Sequence, residues 1–119
     1  MSEDRSIEPA AIFAEMDAQP PLMRPQAVAV YLGREVCWSL RFANATEPSQ
    51  GQTRLIFRFS SHSIRMVVGD VTLSAYPSMT GTRVNENVLV RGRVRKIDNL
   101  CIELEIHDLV LSRTLQAAH

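Results

Sequence analysis

The chain has 119 residues, which is enough for one domain with a hydrophobic core. Its 13 basic and 13 acidic residues balance, so the bulk charge gives no support to the class of strongly basic nucleic-acid binders. No apolar stretch approaches the roughly 20 residues of a membrane span, and the N-terminus, MSEDRSIEP, has no apolar signal core, so we expect a cytoplasmic protein without a membrane partner.

The N-terminal part of the chain, residues 1–25, is predicted to be an arm. Its first six residues are expected to fray. Residues 7–18 are predicted to form a short helix, because Ile12, Phe13 and Met16 recur at helical spacing. We expect this apolar stripe to dock on the main domain, and the alternative is that it binds a partner.

A proline-rich connector follows the helix. Residues 19–25 contain three prolines, so they form a stiff segment and not a helix interior. Pro25 can then open a second short helix that ends at Gly33. Residues 27–32 also alternate in the way that a strand does, so the pattern favours a helix and leaves a strand open.

Alternating apolar residues predict a strand at residues 34–43 and two or three further strands within residues 53–76, where Val71, Leu73 and Ala75 continue the pattern. Residues 44–52 are predicted to be a loop from their composition. The expected core-facing residues are Val36, Trp38, Leu40, Phe42, Leu55, Phe57, Phe59, Ile64, Met66 and Val68.

The second and third strands are predicted to pair across a turn at Ser61 and His62. Pairing Phe59 with Ile64 places Arg58 opposite Arg65 and Ile56 opposite Val67 on the outer face. Gly69 and Asp70 then predict a bulge or tight turn, and residues 77–87 a second loop.

Residues 88–111, VLVRGRVRKIDNLCIELEIHDLVL, are predicted to form a β-hairpin. A three-residue loop at 98–100 sets Arg95 opposite Glu103 and Arg93 opposite Glu105, and Val94 opposite Leu104 on the core face. Opposite-charge pairs of this kind contribute about 0.2–1 kcal/mol each. The register therefore favours a salt-bridge ladder over a stripe of arginines that binds nucleic acid.

Five short strands on one core predict a mainly β fold, a five-stranded antiparallel barrel with one or two short N-terminal helices. The barrel is expected to span residues 26–112, followed by a tail at residues 113–119.

Several features of this arrangement resemble the OB-fold. Tyr31-Leu32-Gly33 leads from a helix into the first strand, the third strand bends around Gly69, and the closing hairpin carries VRGRV and IHDLVL. Over residues 26–112 the pattern is similar to the anticodon-binding-like (tRNA_anti-like) OB superfamily. The 77–87 loop departs from the common form, because it offers no counterpart to the helix between strands three and four. An N-terminal helix could close the bottom of the barrel instead.

The resemblance implies a binding surface on strands two and three, beside the 44–52 loop. Carried onto this chain, its residues are Arg54, Ile56, Arg58, Arg65 and Val67.

The ligand that the resemblance implies is single-stranded nucleic acid or another anion. Arginines set opposite one another repel, and an anionic ligand would give a reason to keep them. Stacking of bases needs exposed aromatic rings. Tyr31 and Tyr76 are the only aromatic residues that the apolar patterns do not assign to core-facing positions. The alternative is a protein-interaction domain that uses the N-terminal arm and a patch at Ile56 and Val67.

The sequence does not favour an enzyme. His62, His107 and His119 lie far apart, and the chain has no nucleophile elbow, phosphate loop or metal-ligand spacing. Cys37 and Cys101 lie apart and are expected to be free thiols. We therefore expect a non-catalytic binding module with no cofactor and no metal, and the oligomeric state stays open.

Overall fold

The structure is a computed structural model, and it describes residues 7–49 and 51–111. The predicted fraying of residues 1–6 and the predicted tail at residues 113–119 lie outside the described residues.

Five strands form a closed barrel. They are β1 (Glu35–Ser49), β2 (Gln52–Arg58), β3 (Met66–Val71), β4 (Asn87–Ile97) and β5 (Cys101–Leu111). Around the barrel the order is β1-β2-β3-β5-β4. This confirms a mainly β, five-stranded barrel, and it is consistent with the OB-like barrel that the resemblance implies.

The prediction of purely antiparallel pairing was wrong, because β3 and β5 pair in parallel. The other four pairs are antiparallel. Successive strands alternate in direction along the chain, and a closed ring with an odd number of strands cannot alternate at every contact. One neighbouring pair must therefore run parallel, and here it is the pair of β3 and β5.

The alternating apolar residues of β1, β4 and β5 fill the barrel as predicted. Val36, Trp38 and Leu40 of β1 are buried, and Phe42 is partly buried against them. Burial of such side chains is the main favourable term in folding. The other buried strand residues of this core are Leu55, Phe57, Val67, Val71, Val88, Val90, Val94, Ile102, Leu104, Leu109 and Leu111.

The N-terminal helix α1 (Pro9–Asp17) docks on the barrel, as predicted. Its stripe of Ile12, Phe13 and Met16 belongs to the same core, at 0%, 2% and 2% exposure. The indole nitrogen of Trp38 also donates a hydrogen bond to the carbonyl of Ile7, at 2.6 Å. These contacts make the helix part of the domain.

Helical turns connect α1 to β1. A 3-10 turn at Pro21–Met23 leads into α2 (Arg24–Val28), and a second 3-10 turn follows at Ala29–Tyr31. The helical alternative for residues 27–32 is therefore the correct one.

Two other local predictions were wrong. Residues 44–52 are mostly strand, because β1 continues to Ser49 and pairs with β2, and Gly51 takes a positive φ of 80° between the two strands. Gly69 lies in a regular stretch of β3, without a bulge between β2 and β3. A Cβ there would lie 2.4 Å from the Ile106 side chain, so this glycine makes room for packing and does not mark a bend.

The closing hairpin has the predicted three-residue loop between Ile97 and Cys101. Arg93 lies opposite Glu105 and Val94 opposite Leu104, as predicted. Arg95 differs, because a bulge places Lys96 opposite Glu103. Even so, Arg95 Nε lies 3.7 Å from a Glu103 carboxylate oxygen, so the expected ion pair is present.

Within the described residues, the structure has no helix with the length and hydropathy needed to cross a bilayer.

Candidate functional site

The outer face of β2 and β3 differs from the prediction by one residue of register. Arg58 pairs with Met66, and Ile56 pairs with Val68. Side chains alternate between the two faces of a strand, so this shift turns each β3 side chain to the opposite face. Arg58 therefore does not lie opposite Arg65.

Val67 is consequently a core residue, and its place in the predicted surface was wrong. It is fully buried and lies opposite Phe57. Ile64, which was expected in the core, is 75% exposed. Met66, Val67 and Val68 are all apolar, so the hydrophobic pattern could not distinguish the two faces of β3.

Arg65 contributes to the docking of α1 and lies away from the outer groove. Its guanidinium forms two hydrogen bonds of 2.6 Å to the Asp17 carboxylate, and a third of 3.0 Å to the Asn99 carbonyl. It also lies over the Phe13 ring, 4.7 Å from the centroid, and Phe13 stacks on Phe59 at 5.6 Å. The Arg65 guanidinium lowers the pKa of Asp17. The charge of Arg65 is therefore already paired with a carboxylate of the protein itself.

Arg54 does lie on the outer face, but acidic side chains neutralise it. Its guanidinium donates two hydrogen bonds to Asp70, at 2.8 and 3.2 Å, and lies 3.9 Å from Glu103. The hydrogen bond to Arg54 lowers the pKa of Asp70, although burial opposes this shift. The pair forms across β2 and β3, where Arg54 and Asp70 are register partners.

Arg58 lies in a groove of about 450 Å³ on the outer face of β1, β2 and β3. Its cross-strand neighbour is Arg41 of β1. Both side chains are exposed, and neither has an ion-pair partner among the residues that the structure describes. We call this space the cationic groove; its lining includes Arg41, Asn44, Ile56, Arg58, Met66 and Val84.

The cationic groove has loop walls and an apolar floor. Ser60 and Ser61, from the segment between β2 and β3, form one wall, and Val84 and Asn85 form another. No carboxylate lines it among the described residues. Arginines placed opposite each other without a counter-ion repel, so this part of the barrel carries an uncompensated positive charge.

A second, mixed-charge groove of about 280 Å³ adjoins the first, because Ile56 and Met66 line both. Its remaining lining includes Arg54, Val68, Lys96, Asp98, Cys101 and Glu103. Burial raises the pKa of the Cys101 thiol, which disfavours the reactive thiolate. The positive charge thus concentrates at one end of the combined surface, and at the other end acidic side chains offset Arg54 and Lys96.

The aromatic side chains do not lie on this surface. Trp38 and Phe57 are buried, and Phe42 and Phe59 pack against the core, as predicted. Tyr31 donates a hydrogen bond to Glu15 on the helical side of the domain. Tyr76 donates one to the carbonyl of His107, at 3.2 Å. The floor of both grooves is therefore aliphatic.

The two histidines in the described part of the chain lie in different elements, one on β5 and one in a turn. His107 Nδ1 lies 3.4 Å from a Glu35 oxygen, a contact that the sequence analysis missed. His62 lies exposed in the turn before β3. No group of three or more histidine, cysteine or acidic side chains is placed to hold a metal ion within residues 7–49 and 51–111.

The main residue that sequence reasoning missed is Arg41. Its outward position on β1 followed from the alternation. Its pairing with Arg58 could not be predicted, because a bulge at Ala43 sets the β1–β2 register. Val84 and Asn85 also went unnoticed, because they belong to a segment between strands. Asn85 has a positive φ of 74°, and asparagine is one of the few residues that tolerate this conformation. This asparagine was the only local feature of the sequence that could have indicated the groove wall formed by Val84 and Asn85.

The sequence matches no protein family profile and no curated protein. Solved structures do match in fold. One of them, described as an OBody, AM1L10, bound to hen egg-white lysozyme, superposes with a TM-score of 0.56 at 10% sequence identity. The match covers 69% of this chain and 81% of that chain. At this identity the likeness shows a shared barrel fold.

Proposed function

We propose that this barrel is a non-catalytic binding module that holds an anionic ligand in the cationic groove. The observation that carries the proposal is the exposed pair Arg41 and Arg58, set opposite each other in a groove that no carboxylate of the described residues lines. A bound anion would relieve their repulsion and accept hydrogen bonds from both guanidinium groups.

The sequence-based resemblance to the anticodon-binding-like OB superfamily supports the same face of the barrel. The proposal includes a cytoplasmic location. It also includes single-stranded nucleic acid as one candidate anion. Of the five residues first predicted for the site, Ile56 and Arg58 are the two that we propose contact the ligand directly. Arg54 is paired with Asp70, Arg65 with Asp17, and Val67 is buried.

The protein-docking alternative keeps only part of its predicted surface. The apolar stripe of α1 is buried in the core, and so is Val67. Ile56 remains half-buried on the outer face, where it lines both grooves. In the arm, Leu22 and Met23 are 92% and 47% exposed, so a protein partner would find apolar contacts on the arm as well as on the outer face.

The test is a charge reversal of the groove. Fluorescence anisotropy at low ionic strength would measure binding of a labelled oligothymidylate and a labelled polyglutamate peptide. We expect at least one polyanion to bind, with an affinity that falls as salt rises. Arg41→Glu with Arg58→Glu should weaken binding by roughly tenfold or more.

The matched control is Arg91→Glu with Arg93→Glu on β4, which changes the net charge equally on another part of the barrel. These two arginines are exposed and lie near Asp108 and Glu35, and surface pairs of this kind contribute little to stability. Equal losses in both double variants would mean that only the net charge matters. That result, or no binding of either polyanion, would refute the proposal.

A further inference from the structure

We infer that the ligand of the cationic groove is an extended acidic polypeptide segment with aliphatic side chains beside its carboxylates. This inference rests on the proposed function and names the class of anion. It follows from the floor of the two grooves, from the distribution of charge along them and from the position of the aromatic rings.

The floor of the combined surface is aliphatic and continuous. Ile56 and Met66 line both grooves, and Val68 extends the floor into the mixed-charge groove. Val68 is only 5% exposed although it lies on the outer face and outside the main core. Val84, which is 63% exposed, adds an apolar wall next to the arginines. These side chains fit aliphatic groups, and methionine in particular adapts to their shapes.

The charges favour a ligand that is anionic at one end only. Arg41 and Arg58 concentrate positive charge in the cationic groove. At the other end, Asp98 and Glu103 offset Arg54 and Lys96, so that end has no net positive charge. Asp70 lies beside that end, in its ion pair with Arg54. A nucleic acid strand carries a phosphate at every step, so its continuation would run past these carboxylates. A polypeptide can place its acidic residues over the arginines and its aliphatic residues over the floor.

The aromatic rings give the second argument against nucleic acid. Binding of single strands draws much of its energy from bases stacked on exposed rings. All seven aromatic side chains of the chain lie in the described residues, and none lines either groove. A segment in extended conformation instead presents every second side chain to one surface, which suits a narrow floor between two strands.

Blocked, fluorescent peptides provide the test. The probe has eight residues, with glutamates at the first and third positions, leucines at the fifth and seventh, and serines between them. Because the direction of the bound chain is open, its reverse sequence is measured as well. Two controls carry the same charge: the peptide with serine in place of both leucines, and a short oligothymidylate.

We expect the better leucine peptide to bind about tenfold more tightly than both controls at equal ionic strength. Ile56→Ser with Met66→Ser should remove this preference while leaving the weaker binding of the serine peptide unchanged. Arg41→Glu with Arg58→Glu should weaken binding of all probes by roughly tenfold or more. Thermal melting of each variant would verify that the barrel is folded.

Equal affinity for the leucine and serine peptides would overturn the inference, because the floor would then take no part. Tighter binding of the oligothymidylate would overturn it in favour of nucleic acid, and would leave the proposed anion site standing. If no anionic probe binds even at low salt, both the inference and the proposed function fail.

Discussion

Two carboxylates in the domain are each hydrogen-bonded by one arginine, and this gives the stability a dependence on pH. Hydrogen bonds from Arg54 and Arg65 lower the pKa values of Asp70 and Asp17, whose ordinary value is 3.8. A carboxyl group with a lower pKa in the folded state binds fewer protons there than in the unfolded chain. Its contribution to stability is therefore present above about pH 4 and is lost as the pH falls through the folded-state pKa.

Replacing Asp70 should flatten this dependence. Asp70→Asn removes the charge that Arg54 stabilises, so the fall in the free energy of unfolding between about pH 7 and about pH 3 should be smaller than in the original protein. Urea unfolding at both pH values would measure it. Glu47→Gln is the control, because Glu47 is exposed and lies outside these ion pairs. An unchanged fall in the Asp70 variant would show that the Arg54 pair does not contribute.

Residue-level patterns could identify only part of the site. The outward positions of Arg54, Ile56 and Arg58 follow from alternation along one strand. Arg65 could not be placed in this way, because its partner Asp17 lies 48 residues earlier, on a helix whose docking geometry the sequence does not specify. A charged side chain with a distant partner looks the same in the sequence as one that is free to bind a ligand.

At the scale of elements, one glycine allows the two strands of the closing hairpin to approach closely next to a bulge. A Cβ at Gly92 would lie 2.4 Å from the Glu105 carbonyl oxygen, beside the bulge in β5 at His107. The backbone of both strands would have to move to admit a side chain. Alternation placed Gly92 on the core face correctly, but the need for a glycine comes from the bulge.

Gly92→Ala should therefore destabilise the protein by about 1–3 kcal/mol, the usual range for overpacking. Urea unfolding at neutral pH would measure the loss. Gly51→Asn is the control: nothing lies within 4 Å of a Cβ there, and asparagine tolerates its positive φ. A loss at position 92 no larger than at position 51 would contradict the close approach.

The helix α1 should contribute to stability as a core element. Phe13 is 2% exposed, stacks on Phe59 and lies under the guanidinium of Arg65. Phe13→Ala should cost about 3–5 kcal/mol, because it leaves a cavity between the helix and the barrel. The comparison is Leu22→Ala, since Leu22 is 92% exposed and its replacement should change the free energy of unfolding by less than about 0.5 kcal/mol. Similar losses for both variants would mean that the helix does not stabilise the fold.

For the whole molecule, the sequence was sufficient for the class of fold and for most of the core. Clean alternation in β1, in β4 and in β5 up to Ile106 allowed each face to be assigned. It failed in β3, where three consecutive apolar residues, Met66 to Val68, fit either face. The parallel pair could have been predicted without any residue pattern, because a closed ring of five alternating strands requires one. The two grooves could not have been predicted, because their shapes depend on bulges and on loops from distant parts of the chain.

The order of strands in the barrel also constrains how the protein can fold. Both closing contacts are distant in sequence: β1 joins β4, where Glu35 and Arg93 are 58 residues apart, and β3 joins β5. Proteins with many such long-range pairings fold slowly, in about milliseconds to seconds. During synthesis, β1, β2 and β3 can pair as soon as they emerge, but the β1 edge stays open until residues 87–93 have left the ribosome, and the β3 edge until residues 101–104 have. Until then the chain exposes unpaired strand edges, which makes this interval its most aggregation-prone stage.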